Sequence, residues 1–301
     1  MRVSYSDGYF VPLPEGHPFP MAKFPALNRI LEREGLVRNG HRAEPAPAGR
    51  EVLGLVHTDR YLDALETGLE RAAERRLGLP WSPALMRRSR LAVGGTVLAA
   101  RMALEDGIAA NLAGGTHHAY PDHGEGFCVL NDVAVAIRLL RGEGLLDRAL
   151  VIDLDVHQGN GTAAVFAADP RTFTLSFHGQ RNYPFQKESS SLDVGLPDGT
   201  GDDRYLERLA AALPEVLRAS RPDLIVYLAG VDPVAGDRYG RLAMTRDGLH
   251  RRDRAVLGAA RASGAALLLV MSGGYASSPE ATADLHAVAH REARRVYGGA
   301  A

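Results

Sequence analysis

Short runs of apolar and β-branched residues alternate with helical patterns along most of this chain, and this alternation restricts its fold. Five such runs predict buried strands, at residues 108–113, 149–154, 172–177, 224–229 and 265–271. Between them, apolar residues recur every three or four positions in the segments 132–141, 205–218 and 245–262, which predicts helices. Because strands joined through helices form parallel sheets, we predict an α/β fold with a central, mostly parallel β-sheet flanked by helices.

The domain organisation follows from the continuity of this pattern. The 301 residues show no internal repeat and no low-complexity linker, and the Pro-rich stretch at 45–47 is too short to separate two domains. We therefore expect one domain over residues 1–301. Periodicity is weak in the first 60 residues, where we predict only a helix near 21–34 and leave the run 52–56 unassigned.

The charge balance restricts the partners of the chain. Lys and Arg total 35 against 36 Asp and Glu, so no excess positive field exists to hold nucleic acid or an anionic membrane. The basic clusters are short, and we expect them to lie on solvated helix faces. They are Arg87 with Arg88, and Arg251 with Arg252 and Arg254.

Cysteine content and hydropathy favour the cytoplasm. The single cysteine, Cys128, cannot form an internal disulfide, which suits a reducing compartment. The first residues lack the apolar stretch of a signal peptide, and no run approaches the roughly 20 apolar residues of a membrane span. We expect a cytoplasmic protein.

Polar side chains lie at the end of each of the five predicted strands or directly after it. They occupy the segments 114–118, 153–157, 176–178, 230–232 and 272–275. In an open α/β sheet, ligands bind beyond the carboxyl ends of the strands. Since a chance arrangement would scatter these groups over both ends of the sheet, we predict the active site at this edge.

Asp155, His157 and Asp232 are candidate metal ligands at this edge. Asp155 and His157 are two apart, so on an extended segment their side chains point the same way. Two carboxylates and one imidazole suit a divalent ion, and three protein ligands leave a position open for water. The alternative for each residue alone is a strand-end cap or an ion pair.

Two adjacent histidines and a tyrosine complete the predicted site. His117 and His118 follow two glycines, and imidazoles transfer protons near neutral pH, so we expect Asp153 and Asn160 to orient them. Tyr275 follows Ser-Gly-Gly and can donate a hydrogen bond to a carbonyl oxygen, although a core tyrosine fits the pattern equally well.

Read together, these segments resemble the histone deacetylase superfamily. The motifs are Gly-Gly-Thr-His-His at 114–118, Gly-Phe-Cys at 126–128, Asp-Leu-Asp-Val-His-Gln-Gly-Asn-Gly at 153–161 and Ser-Gly-Gly-Tyr at 272–275. The segments 17–19, 56–62, 229–232 and 236–238 look most like the class IV enzymes and their bacterial relatives. The resemblance implies the arginase/deacetylase fold and an acyl-binding tunnel that leads to zinc, with ferrous iron as an alternative metal.

The resemblance also implies a role for each residue. Zinc is expected on Asp155, His157 and Asp232, while His118 is expected to act as general base. His117, paired with Asp153, would support the leaving group, and Tyr275 would stabilise the oxyanion. The tunnel walls would be Gly126, Phe127 and Tyr183. A potassium ion is expected on backbone carbonyls of Asp153, Asp155, His157, Ser176 and Phe177.

Two positions depart from related enzymes. Asn160 stands where class I enzymes carry Asp, so His118 lacks a carboxylate partner and should be less basic; this fits class IV. Tyr239 stands near the position where polyamine-selective relatives carry an acidic residue. That substitution weakens the case for a cationic substrate.

These observations predict a zinc-dependent deacylase that hydrolyses N-acetyl- or N-acyl-lysine in peptides or proteins. An amidohydrolase acting on acetylated polyamines or another acylated small amine is the nearest alternative. A non-catalytic acyl-lysine-binding protein has no need for three ligands, two histidines and Tyr275 together. A binuclear manganese hydrolase of the arginase type would need further aspartates, and Asn160 occupies one of the expected positions.

Overall fold

Parallel strands form the centre of the molecule. The computed structural model describes residues 1–37 and 40–298, and within them eight strands belong to one sheet. The strands are β1 (Arg2–Ser4), β2 (Arg42–Ala43), β3 (Ile108–Asn111), β4 (Ala149–Asp153), β5 (Thr172–Gly179), β6 (Leu192–Leu196), β7 (Leu224–Leu228) and β8 (Ala266–Val270). Their order is β2-β1-β3-β8-β7-β4-β5-β6, and each pairing is parallel. The predicted fold class is confirmed.

Helices cover the sheet and follow the predicted pattern. They are α1 (Lys23–Arg33), α2 (Arg50–Leu53), α3 (Asp59–Thr67), α4 (Arg71–Leu77), α5 (Pro83–Asp106), α6 (Asp132–Gly142), α7 (Asn160–Phe166), α8 (Asp202–Ser220), α9 (Arg246–Ser263) and α10 (Pro279–Tyr297). Side-chain caps fix several starts: Thr245 accepts from the Gly248 amide before α9, and Ser278 accepts from the Ala281 amide before α10. In residues 1–37 and 40–298, every helix is too short or too polar to cross a membrane.

Among the elements that the sequence did not predict, the strands β1, β2 and β6 and the helix α2 have weak local signals. β1 and β2 contain three and two residues, which is too few to show alternation, and β6 includes Asp193 and Gly195. The unassigned run 52–56 begins inside the single helical turn of α2. Tertiary pairing, rather than propensity, determines these elements.

The expectation that the basic clusters are solvated is wrong for two arginines. Arg88 and Arg252 are buried. The Arg88 guanidinium lies 4.6 Å from the Phe24 ring, and burial lowers the pKa of Arg88 to about 10. Arg252 donates to the carbonyl of Gly230 at 2.7 Å and to the Asp253 carboxylate at 2.8 Å. Helical periodicity places both arginines on buried helix faces, where Arg252 pairs with Asp253 and Arg88 donates to the Tyr9 carbonyl at 3.3 Å.

Strand register places the predicted polar segments at one edge. Asp153 of β4 is paired with Leu228 of β7, and Leu228 is paired with Val270 of β8. The three central strands therefore end at the same level. The loops that follow them leave the sheet side by side, so residues distant in sequence meet there.

Candidate active site

Asp155, His157 and Asp232 form a buried cluster beyond β4 and β7. One donor atom from each lies within 4.8 Å of the others. The Nδ1 atom of His157 is 2.9 Å from Asp155 Oδ1 and 3.3 Å from Asp232 Oδ2. Backbone amides fix the carboxylates: His157 donates to Asp155 and Val156 donates to Asp232, at 2.9 and 2.8 Å. The fold thus brings together the three side chains that the sequence analysis named as candidate ligands.

The electrostatics of the cluster suit a bound cation. Burial and the charge of Asp155 raise the pKa of Asp232 to about 7. Within the described ranges, Asp232 Oδ2 is buried without a hydrogen-bond partner. A Cβ on Gly273 would lie 2.1 Å from Asp232 Oδ2 and 2.6 Å from Asp155 Oδ2, so glycine keeps this space open. Two carboxylates and an imidazole are a donor set for a divalent ion of borderline hardness.

The adjacent histidines have different partners. His117 Nδ1 lies 2.7 Å from Asp153 Oδ2, and His118 Nδ1 lies 2.6 Å from Asn160 Oδ1. Burial lowers the pKa of His117, but the carboxylates of Asp153 and Asp155 outweigh burial and raise it to about 9. These two carboxylates therefore favour the imidazolium form of His117.

His118 has the opposite protonation. Burial and the neighbouring His117 and His157 hold the pKa of His118 well below its usual value, so this imidazole is neutral at pH 7. The Asn160 oxygen orients it as the Nδ1–H tautomer, which leaves Nε2 free to accept a proton. Asn160 in turn donates to Glu125 Oε1 at 2.7 Å. Sequence analysis did not identify Glu125 as a site residue, since this contact depends on the fold of the loop before α6.

Tyr275 lines the space around the cluster with its hydroxyl protonated. Burial and the charges of Asp155 and Asp232 hold its pKa well above its usual value. Its backbone amide donates to Asp237 Oδ2 at 2.7 Å, which anchors the loop after β8. The phenol can therefore act as a hydrogen-bond donor and not as a base.

An apolar slot of about 260 Å³ leads from the surface to this cluster. The predicted wall residues Gly126, Phe127 and Tyr183 line it, together with Tyr239 and Tyr275. Gly126 has φ 54°, and a Cβ there would lie 2.6 Å from His118 Cδ2, so only glycine fits beside this imidazole. The Tyr183 ring centroid is 5.0 Å from that of His118.

A narrower recess continues inward from the cluster. It is lined by the buried cations Lys23 and Arg88 and by Cys128. Lys23 Nζ donates to the carbonyl of Ser272 at 3.1 Å and lies 5.5 Å from the Tyr275 ring centroid. Burial raises the pKa of the Cys128 thiol, which keeps it protonated and unsuited to nucleophilic attack. No local sequence signal predicts Lys23 here, because it begins an ordinary amphipathic helix.

The carbonyl site predicted for potassium lies at the ends of β4 and β5. Register pairs Asp153 with Ser176, and Phe177 follows on the same strand. These backbones are therefore neighbours, but the binding of a monovalent ion stays a prediction.

Comparison with known proteins gives consistent matches. The profile of the histone deacetylase domain matches residues 17–291. An uncharacterized protein of Picosynechococcus is 48% identical over 98% of this chain and 99% of its own length. Histone deacetylase 2 of Arabidopsis thaliana is 32% identical over 92% of this chain and 75% of its own. The crystal structure of the HDA15 HD domain superposes with a TM-score of 0.77 at 25% identity, and the match covers 97% of this chain and 88% of that domain's chain.

Proposed function

Because the chain belongs to the histone deacetylase family, we propose that it is a zinc-dependent deacylase of N-acetyl- or N-acyl-lysine. The products are a free amine and a carboxylate. One observation carries this proposal: Asp155, His157 and Asp232 meet at the base of an apolar slot, beside a neutral and a charged histidine.

The three clustered side chains would hold the metal, zinc or ferrous iron. Such an ion supplies Lewis acidity, which polarises an amide carbonyl and makes water more acidic. Within residues 1–37 and 40–298, this is the only group of three or more His, Cys, Asp or Glu side chains whose donor atoms are close enough to share an ion. A single group of this kind favours one ion over a binuclear centre.

The surrounding side chains would handle the protons and the developing charge. Neutral His118 accepts the proton of the attacking water at Nε2, since its Nδ1 is engaged by Asn160. The His117 imidazolium, held by Asp153, stabilises negative charge close to the reacting amide. The Tyr275 hydroxyl donates to the oxyanion, which is worth about 3 kcal/mol for one such donor.

The shape of the slot supports an acyl-lysine substrate. Phe127, Tyr183 and Tyr239 line the slot with aromatic rings, and this apolar lining suits the methylene chain of a lysine side chain. An acylated small amine is the alternative, and it shares the same amide chemistry. Potassium at the β4 and β5 carbonyls, membership of class IV and a cytoplasmic location remain parts of the proposal.

The variant Asp155→Ala tests the metal assignment. We expect it to bind less than a tenth of the zinc bound by the parent, and to lose hydrolysis of an acetyl-lysine peptide, because one of three ligands is removed. Metal content by elemental analysis and hydrolysis by chromatography give separate readouts. Asp203→Ala, at the exposed start of α8, is the matched control and should behave as the parent.

A substrate panel distinguishes the two amide classes. Parent protein loaded with zinc is assayed on an acetyl-lysine peptide, a long-chain acyl-lysine peptide and acetylspermidine, with and without chelator. Chelator-sensitive hydrolysis of either peptide supports the proposal. Turnover of acetylspermidine alone, or equal zinc content and activity in Asp155→Ala, contradicts it.

A further inference from the structure

Four exposed arginines surround the mouth of the slot. Arg76 lines the slot itself, and Arg71 and Arg75 of the same helix, α4, line the adjoining depression. Arg238 lies beside the slot residue Tyr239, with its guanidinium carbon 5.7 Å from that ring centroid. We call Arg71, Arg75, Arg76 and Arg238 the arginine rim.

Backbone hydrogen bonds fix the arginine rim relative to the slot walls. The amide of Gly126 donates to the carbonyl of Arg76 at 3.3 Å, and the amide of Phe127 donates to that of Leu77 at 2.8 Å. On the other side, the amide of Arg238 donates to the carbonyl of Tyr275 at 3.1 Å. The same peptide segments therefore build the slot and position the charges at its mouth.

The lining of the slot and of the adjoining depression carries a positive excess: Arg71, Arg75 and Arg76 stand against one carboxylate, Glu74. Among the residues that the structure describes, none of the four rim arginines takes part in an ion pair. Glu70, Glu74 and Asp237 neighbour rim arginines in sequence, but within the described residues none of them forms an ion pair with the rim. Glu74 and Asp237 instead accept backbone amides, Glu74 from Trp81 and Asp237 from Tyr275. The chain as a whole has 35 basic and 36 acidic residues, so this excess is local.

We propose that the arginine rim selects acyl-lysines that lie in acidic peptide segments, an inference that rests on the proposed function. A peptide whose acylated side chain fills the slot must lie across the mouth, where its flanking side chains meet the guanidiniums. Arginine binds carboxylates through paired N–H donors. The rim repels lysine- and arginine-rich segments and cationic polyamines, so it rejects substrates whose amide alone would fit the slot.

Three acetyl-lysine peptides of equal length test this selection. Their flanking residues are acidic, neutral or basic, and acetylspermidine is assayed beside them. Two or three exposed ion pairs between the rim and an acidic peptide should make kcat/KM about tenfold higher for that peptide than for the basic one. Raising ionic strength from about 0.02 M to about 0.5 M should reduce this ratio towards one, because salt screens exposed charges.

Substitutions test whether the ratio of acidic to basic peptide turnover depends on the rim arginines. Arg76→Gln with Arg238→Gln should lower the ratio of acidic to basic turnover, and Arg76→Glu with Arg238→Glu should invert it. Arg218→Gln is the matched control, since Arg218 is an exposed arginine in the last turn of α8, at the opposite edge of the sheet. It should leave every ratio unchanged.

The outcomes separate this inference from the function on which it rests. If none of the peptides is hydrolysed by zinc-loaded protein, the proposed function fails. If they are hydrolysed at rates that do not depend on flanking charge, or if the rim variants keep the parent ratio, the arginine rim does not select the substrate.

Discussion

At the residue scale, the surroundings of His118 determine the pH range in which we expect the site to work. His118 must be neutral to accept a proton, and burial beside His117 and His157 keeps its pKa well below 6.5. Activity should therefore persist on the acid side until pH falls below 6.5. A carboxylate in place of Asn160 would stabilise the imidazolium and raise the pKa of His118 by about 1 to 3 units. Asn160→Asp should thus move the acid limb of the kcat/KM profile to higher pH.

A second substitution controls for repulsion in this variant. Asn160 donates to Glu125, so an aspartate at 160 would face another carboxylate. Combining Asn160→Asp with Glu125→Gln restores a donor to that contact and should keep the shifted limb. If the double variant has the acid limb of the parent, His118 is not the group that titrates.

The residues of the site differ in how far sequence could predict them. Asp155, His157 and Asn160 lie within eight residues of Asp153, directly after a strong strand signal, so their position was evident. Lys23 reaches the site through a contact with Ser272, 249 positions away. Glu125 meets Asn160 only because two loops pack together. Contacts of this kind depend on tertiary packing, which no local pattern encodes.

At the element scale, the loop after β8 shapes the metal cluster through its glycines. A Cβ on Gly273 would lie 2.1 Å from Asp232 Oδ2, so Gly273→Ala must displace one of the carboxylates. We expect this variant to bind zinc at least tenfold more weakly while far-UV circular dichroism stays that of the parent. Zinc affinity by competition with a chromophoric chelator measures the effect.

Gly258→Ala is the control, because it adds the same methyl group where there is open space. Gly258 lies inside α9, and a Cβ there meets nothing within 4 Å. Alanine should therefore stabilise the protein by about 0.5–1 kcal/mol and leave zinc affinity unchanged. Equal zinc affinity in Gly273→Ala and the parent would show that the cluster does not need the space beside Gly273.

At the scale of the whole molecule, strand order joins distant parts of the sequence. β7 and β8, which come late in the chain, lie between β3 and β4. Sequence patterns predicted the five central strands, but not this order, because periodicity carries no information about which strands pair. Neither half of the chain can complete its sheet alone, since the strands at the centre come from both.

This interleaving predicts that the chain unfolds as one unit. The single tryptophan, Trp81, lies between α4 and α5 and donates to the Leu65 carbonyl at 2.9 Å, so its fluorescence reports on the N-terminal third. Far-UV circular dichroism reports on all helices. The two signals should give the same urea midpoint, and zinc at about 100 times its dissociation constant should raise stability by about 2.7 kcal/mol in both. Asp155→Ala should lose the zinc effect. An earlier midpoint for Trp81 would mean that the N-terminal helices separate from a sheet that remains folded.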